Sequence, residues 1–161
     1  MKLVVMGVSG CGKSSVGEAL SERLNASFVD GDDLHPESNR KKMKSGIPLT
    51  DEDRWQWLEE VGNTLSQNEN VIVACSALKR TYREKIREFE PKVKFIHLHG
   101  TRELLQERIN ARSNHFMPAS LLESQLATLE PIGNEENGYV FDIANQVAQI
   151  VDEVIAWLQL K

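Results

Sequence analysis

A glycine-rich stretch near the start of the sequence carries the residue types that hold a polyphosphate. Residues 7–14 read GVSGCGKS and fit the pattern G-x-x-x-x-G-K-[ST]. Residues 2–6 before it form a short apolar run, and residues 13–24 after it have apolar side chains at helical spacing. A turn between a strand and a helix aims backbone N–H groups and the positive helix end at one anion. The stretch therefore predicts a P-loop that binds a nucleoside triphosphate.

The side chains of this motif have separate expected roles. Lys13 would neutralise the β- and γ-phosphates, which also makes it a predicted catalytic residue, and the hydroxyl of Ser14 would ligate Mg²⁺. The residues predicted to bind the nucleotide here are Gly7, Val8, Ser9, Gly10, Cys11, Gly12, Lys13, Ser14 and Ser15.

Three carboxylates follow the second predicted strand. Asp30, Asp32 and Asp33 form an acidic cluster at its end, whereas the next two strands end without a carboxylate. Phosphoryl transfer to an alcohol needs one carboxylate near Mg²⁺ and one that accepts or orients the hydroxyl proton. In an extended turn Asp30 and Asp32 would share one side, so we assign Asp30 to the metal and Asp32 to the acceptor hydroxyl. The alternative is an Asx-type turn with solvated carboxylates, and the residues leave open which of the two is the base.

Composition is that of a single globular domain spanning residues 1–161, with 40% hydrophobic and 27% charged residues. No apolar run approaches the length of a membrane span. The apolar run before the P-loop is too short for a signal peptide, so we expect none. The two cysteines, Cys11 and Cys75, do not form a disulfide framework, so we expect a reducing, cytoplasmic setting. The net charge of −5 argues against general nucleic-acid binding, and an anionic substrate would need a locally basic site.

Strand and helix patterns alternate along the chain. Predicted strands cover residues 2–6, 26–30, 70–75, 93–98 and 139–143, with helical patterns between them. Such alternation is typical of parallel strands joined by helical crossovers. We therefore predict an α/β protein: a three-layer α/β/α P-loop kinase with a five-stranded parallel sheet and a small helical lid at about residues 108–125. Its active site should lie at the carboxyl ends of the strands.

A longer pattern resembles the gluconokinase family. Its first block is Asp30-Gly-Asp-Asp-Leu-His-Pro36, Asn39, Lys42-Met43, Gly46, Pro48-Leu49 and Asp53-Arg54-x-x-Trp57-Leu58, and its second is Cys75-Ser-Ala-Leu-Lys79 with Tyr82-Arg83. A third part of the pattern resembles the lid of that family and consists of Arg108, Arg112, His115-Phe116, Leu122, Gln125 and Leu129-Glu130. The resemblance covers essentially the whole chain. It implies ATP-dependent phosphorylation of D-gluconate on its 6-hydroxyl, with ATP and Mg²⁺ as cofactors, and a homodimer.

Gluconate carries a carboxylate and a row of hydroxyls, so its site needs cations and hydrogen-bonding groups. The substrate-binding candidates are Asp32, His35, Arg54, Lys79, Arg83 and His115. Lys79 stands at the start of a helix, where a basic residue opposes the helix dipole, and this favours a ligand role. The alternatives are a solvated arginine on a helix surface and a structural histidine in a turn.

Two arginines lie four residues apart on one face of the predicted lid helix. Arg108 is expected to bind the nucleotide. Arg112 is predicted to be catalytic, beside Lys13 and Asp32, by stabilising charge on the transferring phosphoryl group. The alternative is a pair of arginines exposed to water. Closure of the lid would exclude water from the reaction.

Two other functional classes fit a P-loop domain. One is a nucleotide-switched binding module, and the other is a kinase of a different small anionic acceptor, such as shikimate or a nucleoside monophosphate. The block from Asp30 to Leu58 favours gluconate because its detailed spacing resembles gluconokinases. Acceptor-dependent release of ADP separates an enzyme from a switch.

Overall fold

The structure is a computed structural model that describes residues 1–111 and 119–160. Its strands are β1 (Lys2–Met6), β2 (Ser27–Asp30), β3 (Val71–Ala74), β4 (Lys94–His99) and β5 (Gly138–Asp142). Its helices are α1 (Lys13–Leu24), α2 (Glu37–Lys44), α3 (Asp51–Gln67), α4 (Arg80–Phe89), α5 (Arg102–Ala111), α6 (Ala119–Thr128) and α7 (Val147–Gln159), with a 3-10 helix at Gly31–Leu34. Every predicted strand end lies within one residue of the observed one, which confirms the predicted alternation.

The strands form one parallel sheet in the spatial order β2-β3-β1-β4-β5. β1 lies at its centre, where Val4 pairs with Val73 on one side and with Phe95 on the other. The central strands are apolar on both faces because both faces are covered. Since β2, β3 and β1 are neighbours, the loops at their carboxyl ends meet at one edge of the sheet.

Helices cover both faces of the sheet. On one face α1, α5, α6 and α7 pack against the strands through buried side chains such as Leu20, Leu105 and Ile150. On the other face α3 and α4 contribute Leu58 and Ile86. This arrangement confirms the predicted three-layer α/β/α fold. Within the described ranges, no helix combines the length and the apolar character needed to cross a membrane.

His97 of β4 is a buried polar side chain. It is 2% exposed, and among the residues that the structure describes neither of its ring nitrogens has a hydrogen-bond partner. Burial, followed by the charges of His99, Arg83 and Lys13, lowers the pKa of His97 to about 4. The ring is therefore neutral in the folded protein at neutral pH, and the unfolded chain binds a proton more readily than the folded one.

We expect the free energy of unfolding to fall as the pH drops from 6.5, the ordinary pKa of histidine, towards the folded pKa of about 4. His97 contributes up to about 1.4 kcal/mol per pH unit in this window, because only the unfolded chain takes up the proton there. Urea unfolding of the wild type and of His97→Gln, at about pH 7.5 and about pH 5, measures the effect. The variant should lose less stability between the two pH values, and equal losses would assign the acid sensitivity to other groups.

Candidate active site

A cavity of about 410 Å³ opens at the carboxyl ends of β1, β2 and β3. Its walls are the P-loop residues Ser9, Gly10, Gly12, Lys13 and Ser14, the acidic residues Asp30 and Asp32, the end of β3 at Ala74, Cys75 and Ser76, and single residues of α2, α5 and α6, namely Met43, Ile109 and Gln125. The cavity therefore brings the phosphate-binding motif and the acidic turn together across one space.

The backbone of the P-loop requires glycine at its tight positions. Gly7 has a φ of 144° and Gly10 a φ of 86°, which residues with a side chain rarely adopt. A Cβ at Gly7 would lie 2.6 Å from the carbonyl oxygen of Leu98, and one at Gly10 would lie 2.8 Å from the Ile109 side chain. These close approaches hold the loop against β4 and α5, directly before the N-terminus of α1.

Lys13 lies over the loop that precedes it. Its Nζ donates hydrogen bonds to the carbonyl oxygens of Gly7 at 2.9 Å and of Val8 at 3.3 Å. The ammonium group thus lies beside the loop backbone and in the wall of the cavity. A cation in this position is placed to neutralise an anion that the loop holds.

The remaining predicted residues of the motif divide between the core and the surface. Val8 and Cys11 are each 1% exposed and belong to the apolar core. Ser14, in the first turn of α1, is exposed and lines the cavity, whereas Ser15 is exposed outside the cavity wall. Ser14 is therefore the hydroxyl of this turn that faces the carboxylates.

The acidic turn is not the extended segment that the sequence suggests. It folds as the 3-10 helix Gly31–Leu34, and Asp30 caps this helix through Oδ1, which accepts a hydrogen bond from the Asp32 N–H at 3.0 Å. The Asx-type cap favours the tighter turn because it satisfies a backbone donor locally. Asp30 and Asp32 both line the cavity and Asp33 does not, so the predicted pair is brought together by a different local conformation.

The environment of Asp32 favours proton uptake. Asp32 is open to the cavity, but the surrounding protein atoms desolvate its carboxyl group; this desolvation and the negative charges of Asp30 and, more weakly, Asp33 raise its pKa against the opposing effect of Lys13. A carboxylate with a raised pKa holds a proton more strongly and is a better base at neutral pH. Ser14 and Asp30 line the same cavity and offer oxygen donors that fit Mg²⁺, which takes one or two carboxylates and completes its shell with waters and phosphate oxygens.

His35 is buried behind the acidic turn. Its ring stacks on Trp57 at 4.3 Å between centroids, and the indole N–H of Trp57 donates to the carbonyl oxygen of Gly31 at 2.7 Å. The amide of Asn39 lies 3.2 Å from His35 Nδ1 and donates to the Asp53 carbonyl oxygen at 2.8 Å. Nδ1 of His35 then accepts a hydrogen bond from the Asn39 amide, so the proton of the neutral ring resides on Nε2.

The imidazole of His35 is neutral over the physiological range. Burial, followed by the charges of Arg40 and Arg54, lowers the pKa of His35 to about 4. A neutral ring with Nε2–H can donate one hydrogen bond to a hydroxyl. The side chain itself is 8% exposed and outside the wall of the cavity, where it packs on Trp57 behind the turn that carries Asp32.

Two of the predicted substrate cations meet at the starts of α3 and α4. Arg54 Nη1 lies 3.8 Å from Asp51 Oδ1, and Lys79 Nζ lies 3.3 Å from the same oxygen. Both cations lie 5.5 Å from the centroid of the Tyr82 ring, whose hydroxyl donates to Asp51 at 2.6 Å. One carboxylate thus faces two cations, and the cluster has a surplus of positive charge.

Arg83 does not suit the substrate role that we predicted from the sequence. Its side chain is fully buried, and its Nε and Nη2 donate to the two carboxylate oxygens of Glu136 at 2.9 and 3.1 Å. Its other donors reach backbone carbonyl oxygens of Ala77, Leu78, Glu130 and Pro131. With its N–H groups used in this way, Arg83 joins α4 to the loop before β5 and has no donor left for a ligand.

Glu136 is the partner of Arg83 and remains ionised. Burial opposes its ionisation, but hydrogen bonds from Arg83, from the Gly133 N–H and from Arg87 outweigh burial and lower the pKa of Glu136 to about 2. The pair leaves no signal in the sequence, because its members lie 53 residues apart and belong to no shared motif.

The residues of the predicted lid are only partly described. Arg108 is half-buried on α5, and its Nη2 donates to the carbonyl oxygen of Ile143, directly after β5. It therefore faces the loop after β5 and is absent from the cavity wall. The predictions for Arg112 and His115 lie outside the described residues.

Gln125 is a residue of the cavity to which sequence analysis assigned no role. Its Oε1 accepts a hydrogen bond from the backbone N–H of Ser9 at 2.7 Å. In the sequence Gln125 stands out only as part of the pattern that resembles the lid, and that pattern does not predict a contact with the P-loop.

Comparison with known proteins agrees with this geometry. A family model described as Shikimate kinase matches residues 9–159. A gluconokinase of Gluconobacter oxydans is 47% identical over 83% of this chain and 78% of its own length. The thermosensitive gluconokinase of Escherichia coli is 41% identical over 93% of this chain and 83% of its own length. The crystal structure of a gluconokinase from Sinorhizobium meliloti superimposes with a TM-score of 0.89 at 52% identity, covering 96% of this chain and 89% of that one.

The chain belongs to the gluconokinase branch of the shikimate kinase family. Membership confirms the resemblance that rested on the block from Asp30 to Leu58 and on the lid pattern. It also agrees with the fold, since β1, the P-loop and α1 follow one another as the strand, loop and helix of a P-loop unit.

Proposed function

We propose that this protein transfers the γ-phosphoryl group of ATP to the 6-hydroxyl of D-gluconate, producing 6-phosphogluconate and ADP. The observation that carries the proposal is the juxtaposition of Lys13 of the P-loop and Asp32 of the acidic turn across one cavity. The choice of gluconate rests on the relatives, which are named gluconokinases.

In the proposed mechanism the P-loop holds the phosphates, and Lys13 turns from the loop carbonyls to the β- and γ-phosphate oxygens. Ser14 and Asp30 would hold Mg²⁺, which neutralises charge on the same phosphates. Asp32 accepts the proton of the 6-hydroxyl of gluconate. The hydroxyl oxygen attacks the γ-phosphorus of ATP, and ADP departs. The raised pKa of Asp32 supports this assignment. Arg112 would stabilise charge on the transferring group, and Arg108 would contact the nucleotide near Ile143.

Gluconate would be recognised by the residues around the acidic turn. The surplus positive charge of Arg54 and Lys79 suits the carboxylate, since Asp51 balances only one of these cations. His35 would donate from Nε2 to a substrate hydroxyl, and His115 would contact the substrate from the lid. Arg83 drops out of this set because its donors are used within the protein.

Production of ADP tests the proposal directly. With Mg·ATP, D-gluconate should stimulate ADP release strongly, whereas shikimate, AMP and a control without acceptor should not. Arg54→Met should raise the KM for gluconate by about 10- to 100-fold, the usual effect of losing a charged hydrogen bond, and leave the KM for ATP unchanged. Lys44→Met, at an exposed position of α2, is the matched control and should behave as the wild type. Stimulation by another acceptor, and not by gluconate, would reject the proposed substrate.

We further propose that the protein is a cytoplasmic homodimer that binds neither membranes nor nucleic acids. The dimer is carried over from the gluconokinase resemblance, and the net charge of −5 opposes binding to nucleic acid. Light scattering coupled to size-exclusion chromatography would give twice the mass of 18.2 kDa for a dimer, and the single mass would reject it.

A further inference from the structure

Ala77, in the loop between β3 and α4, has a backbone conformation that residues other than glycine rarely adopt. Its φ is 44°, in the left-handed region, where Cβ crowds the neighbouring backbone. In the described part of the chain, Asn25 is the other such residue, with a φ of 53° at the C-terminal cap of α1, a position that asparagine tolerates. Ala77 has no polar side chain and does not end a helix, so contacts from the surrounding protein must hold its conformation.

Arg83 supplies contacts to this loop. Its Nη1 donates to the carbonyl oxygens of Ala77 at 2.9 Å and of Leu78 at 3.2 Å. Glu136 accepts hydrogen bonds from Nε and Nη2 of the same planar guanidinium, and this fixes the direction in which Nη1 points. Ala77 and Arg83 are both fully buried, so the bonds between them are shielded from water and costly to lose. A rigid donor therefore holds the loop at its left-handed residue.

The loop between β3 and α4 contacts the P-loop directly. Ser76, the residue before Ala77, lines the cavity, and its carbonyl oxygen accepts a hydrogen bond from the Gly7 N–H at 3.2 Å. Gly7 is the first residue of the phosphate-binding motif. The φ of Ala77 sets the direction of the peptide that carries the Ser76 carbonyl. A series of contacts thus runs from Glu136 through Arg83 and the left-handed residue to the start of the P-loop.

We propose that Arg83 is a positioning residue for phosphoryl transfer: it holds Ala77 in the left-handed conformation and so keeps the Ser76 carbonyl against the start of the P-loop. The inference rests on the proposed function for the reaction that is measured. Without the Arg83 donors Ala77 relaxes towards an ordinary φ, the peptide before it rotates, and Gly7 loses its acceptor. The P-loop then moves relative to Asp32, and a misplacement of about 1 Å between reacting groups costs about 100-fold in rate.

Arg83→Lys tests the donors of the guanidinium while it keeps a cation beside Glu136. A single ammonium group cannot reproduce the planar fork that reaches the carboxylate and the Ala77 carbonyl together. We expect kcat to fall by about 10- to 100-fold. The KM for gluconate should stay at the wild-type value, because the cations proposed to bind gluconate pair with Asp51. Steady-state kinetics well below the melting temperature of the variant measure both constants, and Arg83→Met should show the same split where it folds.

Ala77→Gly separates positioning from a general loss of structure. Glycine adopts a positive φ about as readily as a negative one, so the loop keeps its conformation with fewer bonds from Arg83. The fold loss of kcat caused by Arg83→Lys should therefore shrink by about fivefold or more when both proteins compared carry Ala77→Gly, the factor that the left-handed penalty of alanine is worth.

Asn25→Gly is the matched control, because it places glycine at the other left-handed position, which is exposed at the end of α1. In this background the effect of Arg83→Lys on kcat should be undiminished. An equal loss of kcat with and without Ala77→Gly would overturn the proposal, and so would wild-type kcat in both Arg83→Lys and Arg83→Met.

The Gly7 amide provides a readout that needs no turnover. Its ¹⁵N resonance should shift in Arg83→Lys, because its acceptor on Ser76 moves, and should return towards the wild-type position when Ala77→Gly is added. A wild type that transfers nothing to gluconate rejects the proposed function, while this resonance still decides the role of Arg83. A wild type that phosphorylates gluconate, together with an unchanged Gly7 resonance in Arg83→Lys, rejects the positioning role alone.

Discussion

Asp32→Asn is expected to lower kcat for gluconate phosphorylation by about 10²- to 10⁴-fold, the range that a positioned general base contributes. Asparagine keeps the size of the side chain and the backbone N–H that bonds to Asp30, but it cannot accept the proton of the hydroxyl. The Kd for ATP should change little, because the phosphate-binding groups lie in the P-loop. Steady-state kinetics with gluconate as the varied substrate, and an ATP titration, measure the two effects.

Asp33→Asn is the matched control for this experiment. Asp33 neighbours Asp32 in the same 3-10 helix, and its side chain is exposed outside the cavity wall. The variant should retain wild-type kcat to within about twofold, as expected for a surface position. Equal losses of kcat in Asp32→Asn and Asp33→Asn would mean that the turn tolerates no loss of charge. That result would remove the evidence for Asp32 as the base.

The pH profile of kcat/KM provides a separate test of Asp32. Burial and the charge of Asp30 raise its pKa, so activity should fall as the pH drops through that raised value and the carboxylate becomes protonated. Asp30→Asn removes one cause of the shift and should move this acid limb to lower pH in the activity that remains. If the acid limb of Asp30→Asn stays at the pH of the wild-type limb, a group other than Asp32 is responsible for it.

Arg83→Met is expected to lower the free energy of unfolding by about 3–5 kcal/mol, the usual consequence of removing one member of a buried ion pair. Methionine fills much of the volume but leaves Glu136 buried with Arg87 as its remaining cation, and it leaves backbone carbonyl oxygens without donors. For a domain of this size the midpoint of thermal unfolding should drop by about 6–20 °C. Calorimetry or urea unfolding measures the change.

Two further variants separate structure from substrate binding. Arg80→Met removes an arginine of the same helix whose partners, Glu84 and Glu135, are exposed, and it should cost less than about 1 kcal/mol. Arg83→Met combined with Glu136→Gln should recover part of the lost stability, because the buried carboxylate that loses its main partner is replaced by a neutral amide. Assayed well below its melting point, Arg83→Met should keep the wild-type KM for gluconate. A large rise in that KM with little loss of stability would restore Arg83 to the substrate site.

Local patterns in the sequence were sufficient to predict the scaffold and to group the P-loop with the two carboxylates that line the same cavity. Apolar periodicity predicted each strand to within one residue, because burial on both faces of a parallel sheet leaves a continuous apolar run. The P-loop follows from eight consecutive residues whose glycines are required by backbone geometry alone. Asp30 and Asp32 were grouped correctly although the turn that carries them is a 3-10 helix, because residues two apart remain neighbours in either conformation.

Only the tertiary structure decided which charged side chains are free for a ligand. Arg83 belongs to the same motif block as Lys79, yet its carboxylate partner is the distant Glu136. The burial of this pair depends on how the loop before β5 packs on α4. The same holds for the bond between Gln125 and Ser9. Such contacts join distant parts of the chain, so they depend on the packing of whole helices against the sheet, whereas sequence periodicity records only which face of each element is buried.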